Sequence, residues 1–329
     1  MASDRDVAVA FASAWGRRVG RPLTGWEVTA ATGVRGLRLV NESGTFARFL
    51  LTEASDEAVA VLRANAVRWP MIAVEQRDAR EPRSDGPFDY VDIDPYGSPV
   101  PFVAAAFAAL RPGGVLAATA TDLMVLAGVQ PGACERKYGA RPIRGRLGPE
   151  GGLRILLAYL SGEARTRGLA ARPLLSYVGE HHLRVFVHVV GGSEREARDP
   201  TGEIDPRGWS GPSVGDRGPY GPLWLGPLFD PELVGSLRVP STSAAPDETG
   251  RLFSTWREEV RADVPFYFEA NRLASALALS MPPSIAALLE ELRRAGYRAA
   301  RTHARPEGFR TDAPRPVVES VARTLAREP

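Results

Sequence analysis

The chain of 329 residues contains one cysteine, Cys134, and one lysine, Lys137. A single thiol excludes an internal disulfide and any zinc site built on clustered cysteines. No apolar run approaches the roughly 20 residues a membrane-spanning helix needs, and no basic-then-apolar leader opens the sequence. These absences point to a cytoplasmic protein with neither membrane nor metal among its partners. Because 41 residues are lysine or arginine, nearly every cation is a guanidinium, which is planar, forked and able to stack. The net charge of only +2 permits nucleic-acid binding without arguing for it. Hydrophobic and charged contents of 44% and 24% are ordinary for a globular protein, and the length leaves room for two cores.

What is present is an alternation of strands and helices. Residues 4–18 carry Val7, Phe11, Ala14 and Trp15 on one helical stripe, with Asp4 as candidate N-cap. Residues 26–31 read as a first strand running into Thr32-Gly33-Val34-Arg35-Gly36, a glycine-punctuated turn that opens a helix. Residues 46–53 form a second strand ending at Glu53, followed by a helix over 56–66. Residues 71–79 give a third strand, with Asp78 at its end. A fourth, 88–94, stops abruptly at Asp94-Pro95-Tyr96-Gly97; a helix over 101–110 and a fifth strand over 114–122 follow. This spacing predicts a doubly wound parallel α/β sheet. Two late strands, 174–178 and 183–189, flank His181-His182. Adjacent strand residues face opposite ways and no third ligand is near in sequence, so the pair reads as polar loop residues. Residues 191–220 read as an exposed excursion, and 221–228 as a return to the sheet. From about residue 231 the pattern changes to a smaller α+β domain with helices at 255–263, 267–279, 284–295 and 316–327 and a strand near 297–303.

In an open α/β sheet, ligands sit beyond the carboxyl ends of the strands. Here three strands end in a glycine turn, an acid and an acid. The turn admits a nucleoside cofactor, Glu53 can accept from ribose hydroxyls, and Asp78 can accept from an adenine amino group. For any one acid alone, a helix cap or surface carboxylate is the simpler reading. The three in order, with an acid-proline-aromatic after the fourth strand, favour an S-adenosylmethionine-dependent methyltransferase over a dinucleotide-binding fold, whose three-glycine fingerprint is missing. Arg136, Lys137, Arg141, Arg144 and Arg146 lie within eleven residues beside Tyr138, a composition suited to phosphates.

Several stretches together resemble the tRNA (guanine-N2)-dimethyltransferase family, archaeal type. They are Ala31-Thr32-Gly33-Val34-Arg35-Gly36-Leu37-Arg38, Asp92-Ile93-Asp94-Pro95-Tyr96-Gly97-Ser98-Pro99, Thr119-Ala120-Thr121-Asp122, Arg136-Lys137-Tyr138-Gly139, Arg184-Val185-Phe186-Val187, Gly221-Pro222-Leu223-Trp224 and Thr311-Asp312-Ala313-Pro314. The resemblance implies a Rossmann-like class I methyltransferase domain over residues 1–229 and a tRNA-binding C-terminal domain over 230–329. It implies transfer of one or two methyl groups to N2 of a guanosine, guanosine 26 of tRNA. Arg5, Gly33, Arg35, Glu53, Asp78 and Ala79 fall where the family contacts S-adenosylmethionine. Asp94 falls on the catalytic acid, Tyr96 on the aromatic that stacks on the target guanine, and Pro95 beside it. Arg136 and Lys137, with Arg305 and Arg310 further on, are expected to hold the RNA backbone, and the enzyme is expected to act as a monomer. Family members begin with a longer segment carrying a second stacking aromatic, whereas this sequence starts Met1-Ala2-Ser3-Asp4-Arg5-Asp6. The alternative expectation is therefore a catalytically impaired tRNA-binding protein.

Overall fold

The computed structural model describes residues 2–81, 83, 86–191 and 199–326. In chain order its elements are α1 (Ala2–Val19), β1 (Leu23–Glu27), α2 (Val34–Ser43), β2 (Phe46–Glu53), α3 (Asp56–Ala66), β3 (Ile72–Gln76), β4 (Phe88–Ile93), α4 (Val100–Ala109) and β5 (Leu110–Ala120). There follow α5 (Leu123–Leu126), α6 (Pro131–Tyr138), α7 (Gly148–Thr166), β6 (Ala170–Val178), β7 (Leu183–Val190), β8 (Thr201–Ile204), β9 (Tyr220–Trp224) and α8 (Pro231–Ser236). The last are α9 (Pro246–Glu259), β10 (Phe268–Glu269), α10 (Ala270–Leu277), α11 (Ile285–Arg294), β11 (Ala299–Arg301), β12 (Gly308–Thr311) and α12 (Arg315–Leu325). Contacts divide the chain into two compact units that interleave in sequence: 1–122, 159–199 and 232–251 form the first, and 123–158, 200–231 and 252–329 the second. A single cut between residues 229 and 230 is a different division, since it leaves 123–158 with the large sheet.

The first unit is built on a seven-stranded sheet of order β3-β2-β1-β4-β5-β7-β6. Neighbours from β3 to β5 pair in parallel, and only β7 runs antiparallel, between β5 and β6. Central strands of such a sheet are covered on both faces, which accounts for the unbroken burial of Tyr90, Val91, Asp92 and Ile93 and of residues 114–120. The strand order reverses between β1 and β4, so the loops after these two strands, 28–33 and 94–99, lie at the topological switch point.

Three expectations need correction. The first strand spans 23–27 rather than 26–31, because the Thr24 backbone N–H and hydroxyl bind Asp89 and draw the chain into the sheet early. Gly25 hides that strand in the sequence: a Cβ there would lie 2.3 Å from the Phe49 ring, so only glycine fits. Residues 220–224 do not complete the large sheet, since β9 pairs antiparallel with β8 in a separate two-stranded ribbon. The 191–220 excursion therefore contains a strand, while its residues 192–198 lie outside the described ones.

The third correction concerns Arg310. In the second unit β12 is the middle strand of the sheet β10-β12-β11, packed with Leu273, Leu288, Leu292 and Val318. This placement buries Arg310 completely. Its guanidinium lies 2.9 Å from Glu150 and 2.5 Å from Glu259, and Glu259 also meets His303 Nδ1 at 2.6 Å. Buried charges persist when paired and hydrogen-bonded. A fully buried arginine held by two carboxylates cannot reach an RNA phosphate, so Arg310 belongs to the core of its unit.

Candidate active site

The residues at the switch point are held by a buried ionic network in the first unit. Asp92, on β4, is fully buried and accepts a bidentate fork from Arg184 of β7 at 2.7 and 2.6 Å. The Tyr90 hydroxyl donates to the same carboxylate at 2.8 Å, and Arg184 also donates to Thr119 Oγ1 at 2.7 Å. Burial alone would push the Asp92 carboxyl up; the charges of Arg184 and Arg35 outweigh it and hold it below the usual carboxylate range. Burial, with Asp92 adjacent, pushes the Tyr90 phenol well up, so it stays a hydrogen-bond donor.

Arg35, on the first turn of α2, spans from this network to the loop after β4. Its Nη1 lies 3.5 Å from Asp92 and its Nη2 lies 2.6 Å from Asp94. Asp94 is partly exposed, and its backbone N–H donates to Thr29 Oγ1 at 3.3 Å, so the loops after β1 and β4 are tied directly together. Two hydrogen bonds fix the rest of the Asp94 loop: Gly97 N–H donates to Thr121 Oγ1 at 2.6 Å, and Thr121 N–H to the Gly97 carbonyl at 2.9 Å. Between these anchors Tyr96 is fully exposed, its ring face free to meet another flat group.

The turn into α2 is set by glycine. Gly33 sits at φ +79°, where a side chain would be strained and would strike Leu62. Gly36 has ordinary backbone, but a Cβ would lie 2.4 Å from Leu51 and 2.7 Å from Glu27 Oε2. Gly36→Ala is accordingly expected to displace α2 with Arg35, cost about 1–3 kcal/mol as overpacking does, and weaken cofactor affinity. Urea unfolding and a cofactor titration read both effects.

Glu27 ends β1 and accepts the Gly36 N–H at 3.0 Å. Burial pushes its carboxyl up to about 8, against the opposing charge of Arg35 and with added repulsion from Asp92 and Asp94. The folded state thus binds this proton more tightly than the unfolded chain. Its stabilising contribution is complete below the ordinary glutamate value of 4.5 and is lost as pH rises toward about 8. The stability of Glu27→Gln relative to the parent is expected to improve between pH 5 and pH 8.5, in urea titrations at the two values. A pH-independent difference would contradict this.

The acids after β2 and β3 differ in their engagement. Glu53 accepts the backbone N–H of Ala31 at 2.9 Å through one oxygen and those of Ala54 and Ser55 at 2.8 and 3.1 Å through the other. It thereby clasps the glycine turn while keeping further lone pairs. Asp78 is closed over by Arg80, whose Nε and backbone N–H each lie 2.9 Å from Oδ1. The Arg80 hydrogen bonds hold its carboxyl at about 2. Exposed ion pairs of this kind open at little cost. Ala79 is buried. Arg5, on α1, is half-buried and has no hydrogen bond or ion pair among the described residues. Its neighbours are engaged. Asp4 lies 3.1 Å from His182 Nε2; burial pushes its carboxyl up, and His182 outweighs that to hold it well below the usual range. Asp6 takes Arg38 at 2.8 Å. His182 is therefore a partner of α1 rather than a bare loop residue.

Arg136 and Lys137 belong to the second unit, exposed in the last turn of α6. Sequence reasoning brought Gly33, Arg35, Glu53, Asp94 and Tyr96 to the strand ends but missed Glu27, Tyr90, Asp92, Thr119 and Arg184 as a network. The signal was available: a charged residue inside an otherwise apolar strand, as in Leu183-Arg184-Val185-Phe186, is rarely buried unless paired.

Comparison with known proteins gives the family and the fold. A family model described as N2,N2-dimethylguanosine tRNA methyltransferase matches residues 1–200 and 214–323. A tRNA (guanine(26)-N(2))-dimethyltransferase of Thermococcus kodakarensis is 32% identical over 99% of this chain and 92% of its own. One of Pyrobaculum calidifontis is 33% identical over 99% and 90%. Among solved structures, the complex of Trm1 from Pyrococcus horikoshii with S-adenosyl-L-methionine superposes with a TM-score of 0.83 at 27% identity, covering 98% of this chain and 92% of that one.

Proposed function

The chain belongs to the N2,N2-dimethylguanosine tRNA methyltransferase family, and from that membership we propose that it transfers methyl groups from S-adenosylmethionine to N2 of guanosine 26 in tRNA. The observation that carries the reading is Asp94 at the carboxyl end of β4, one loop from the Gly33 turn and joined to it through Thr29 and Arg35.

The residues present fit the cofactor. Arg35 keeps a buried Nε–H without an acceptor, suited to a carboxylate. Glu53 offers acceptor lone pairs for ribose hydroxyls, Asp78 does so for an adenine amino group once Arg80 moves aside, and Gly33 and Gly36 keep the turn low. Arg5 and Ala79 complete the assigned set. When bound, S-adenosylmethionine supplies an electrophilic methyl on a sulfonium.

Guanine N2 is a poor nucleophile because its lone pair is delocalised into the ring. The protein's task is then alignment and removal of one proton. Asp94 would accept a hydrogen bond from the amino group, orient the nitrogen lone pair toward the methyl donor's place, and take the proton released as the N–C bond forms and the methyl–sulfur bond breaks to leave a neutral thioether. The Pro95 carbonyl accepts the other amino hydrogen. Tyr96 stacks on the base, which has to leave the tRNA stack to reach the loop. A second transfer requires the same loop to accept N2-methylguanosine. Arg136 and Lys137 contact the RNA backbone. One chain provides all the residues assigned around the cofactor, which supports action as a monomer, and a tRNA substrate supports a cytoplasmic location. Among the described residues no helix is long and apolar enough to cross a membrane.

Incubation of tRNA with the protein and S-adenosylmethionine, followed by nucleoside mass spectrometry, tests the reading: N2-methylated guanosine supports it, and its absence opposes it. Tyr96→Ala is expected to raise the KM for tRNA roughly 5- to 150-fold, the equivalent of about 1–3 kcal/mol of stacking, with cofactor affinity unchanged. Initial rates against tRNA concentration check this.

A further inference from the structure

A cleft of about 680 Å³ in the second unit gathers Arg261, Arg293, Arg294 and Arg301 beside Glu258 and Glu290. Arg261 comes from the 3-10 turn Val260–Ala262, Arg293 and Arg294 from the last turn of α11, and Arg301 from the edge strand β11. Two of the four have structural employment. Arg294 pairs with Glu290 and Glu291, and Arg293 directs Nε and one terminal nitrogen to the Ala299 carbonyl at 3.0 and 2.7 Å, leaving its other nitrogen unused. Cations near a helix carboxyl end are also favoured by its dipole.

Neither reason covers Arg261 and Arg301. Both are exposed, and among the described residues their guanidinium groups have no acceptor. Glu258, exposed on the same cleft, has no donor among the described residues. Folding gains nothing from bringing unneutralised guanidiniums together, since like charges repel. The arrangement gains when an anion enters, and a guanidinium fork matches phosphate oxygens in pairs.

We propose that this cleft binds the sugar-phosphate backbone of RNA, with Arg261, Arg301 and the spare nitrogen of Arg293 on phosphate oxygens and Glu258 accepting from a ribose 2′-hydroxyl. The inference rests on the tRNA substrate assigned above and moves the backbone contact of the C-terminal region away from the buried Arg310. The 2′-hydroxyl is the group that separates RNA from DNA, and an unpaired carboxylate among arginines is placed to read it. An acidic protein segment would also satisfy the arginines, and the test below separates it from RNA.

The test is tRNA affinity against salt concentration for the full chain, for Arg261→Gln/Arg301→Gln, and for Glu258→Gln, with thermal unfolding confirming that each variant is folded. The double variant is expected to lower the slope of log K against log salt by about 2 and to raise the KM for tRNA, with kcat at saturating tRNA and cofactor affinity unchanged. Glu258→Gln is expected to narrow the preference for tRNA over DNA of the same sequence. An unchanged slope in a double variant whose parent binds and methylates tRNA overturns the proposal. Displacement of tRNA by poly-glutamate as readily as by RNA of equal charge, lost in the double variant, also overturns it in favour of an acidic protein partner. A parent that neither binds nor methylates tRNA would instead refute the functional reading beneath it.

Discussion

Asp94→Asn is expected to lower kcat by about a hundred- to ten-thousandfold, the range a positioned acid-base group contributes, while cofactor binding is nearly unchanged. The substitution keeps the shape of the side chain and one acceptor oxygen but removes the ability to take a proton. Arg35 loses the charge of its 2.6 Å partner yet retains Asp92, itself fixed by Arg184 and Tyr90, so the loop geometry should survive. Asp94→Glu tests position rather than chemistry. It restores the carboxylate one methylene further out, and a displacement of about 1 Å can cost a hundredfold. Single-turnover rates at saturating tRNA and cofactor separate the two variants from mere loss of binding. Full activity in Asp94→Asn would remove the carboxylate from the reaction.

The second large effect is structural. Arg184→Met is expected to destabilise the protein by about 3–5 kcal/mol, because it leaves Asp92 as a buried charge without its main partner. Tyr90 and the more distant Arg35 at 3.5 Å are the groups left to compensate. The double substitution Asp92→Leu/Arg184→Met removes both charges and is expected to cost far less than the sum of the single changes. Urea unfolding of the three variants measures the coupling; strict additivity would show that the pair does not act as a unit. The double variant also reports on function. If it folds but loses activity, the network's role is to hold Arg35 and through it Asp94.

The strand ends were legible in the sequence because each is punctuated: Gly33 and Gly36 by their lack of a side chain, Glu53 and Asp94 by an acid closing an apolar run. The helix Asp56–Ala66 was legible to the residue, with Ser55 as its N-cap accepting from the Ala58 N–H. The buried network was not read, because its members are far apart in sequence and meet only when β7 inserts antiparallel between β5 and β6, placing Arg184 opposite Thr119. For the same reason Arg310 looked like a polar loop residue. Its neighbours Gly308 and Asp312 suggest a turn, and nothing local shows that β12 is a central strand. Asp78 was read as an acceptor, and its closure by Arg80 depends on a side-chain rotamer that sequence does not encode.

The central claim is methyl transfer to one guanosine of tRNA. Its most direct test uses two transcripts, identical except that one carries guanosine and the other adenosine at position 26, each incubated with the protein and S-adenosylmethionine and digested for mass spectrometry. The predicted result is N2-methylated and N2,N2-dimethylated guanosine from the first transcript and none from the second, with the signal lost in Asp94→Asn. Equal methylation of both transcripts, or none of the first despite demonstrated cofactor and tRNA binding, would contradict it.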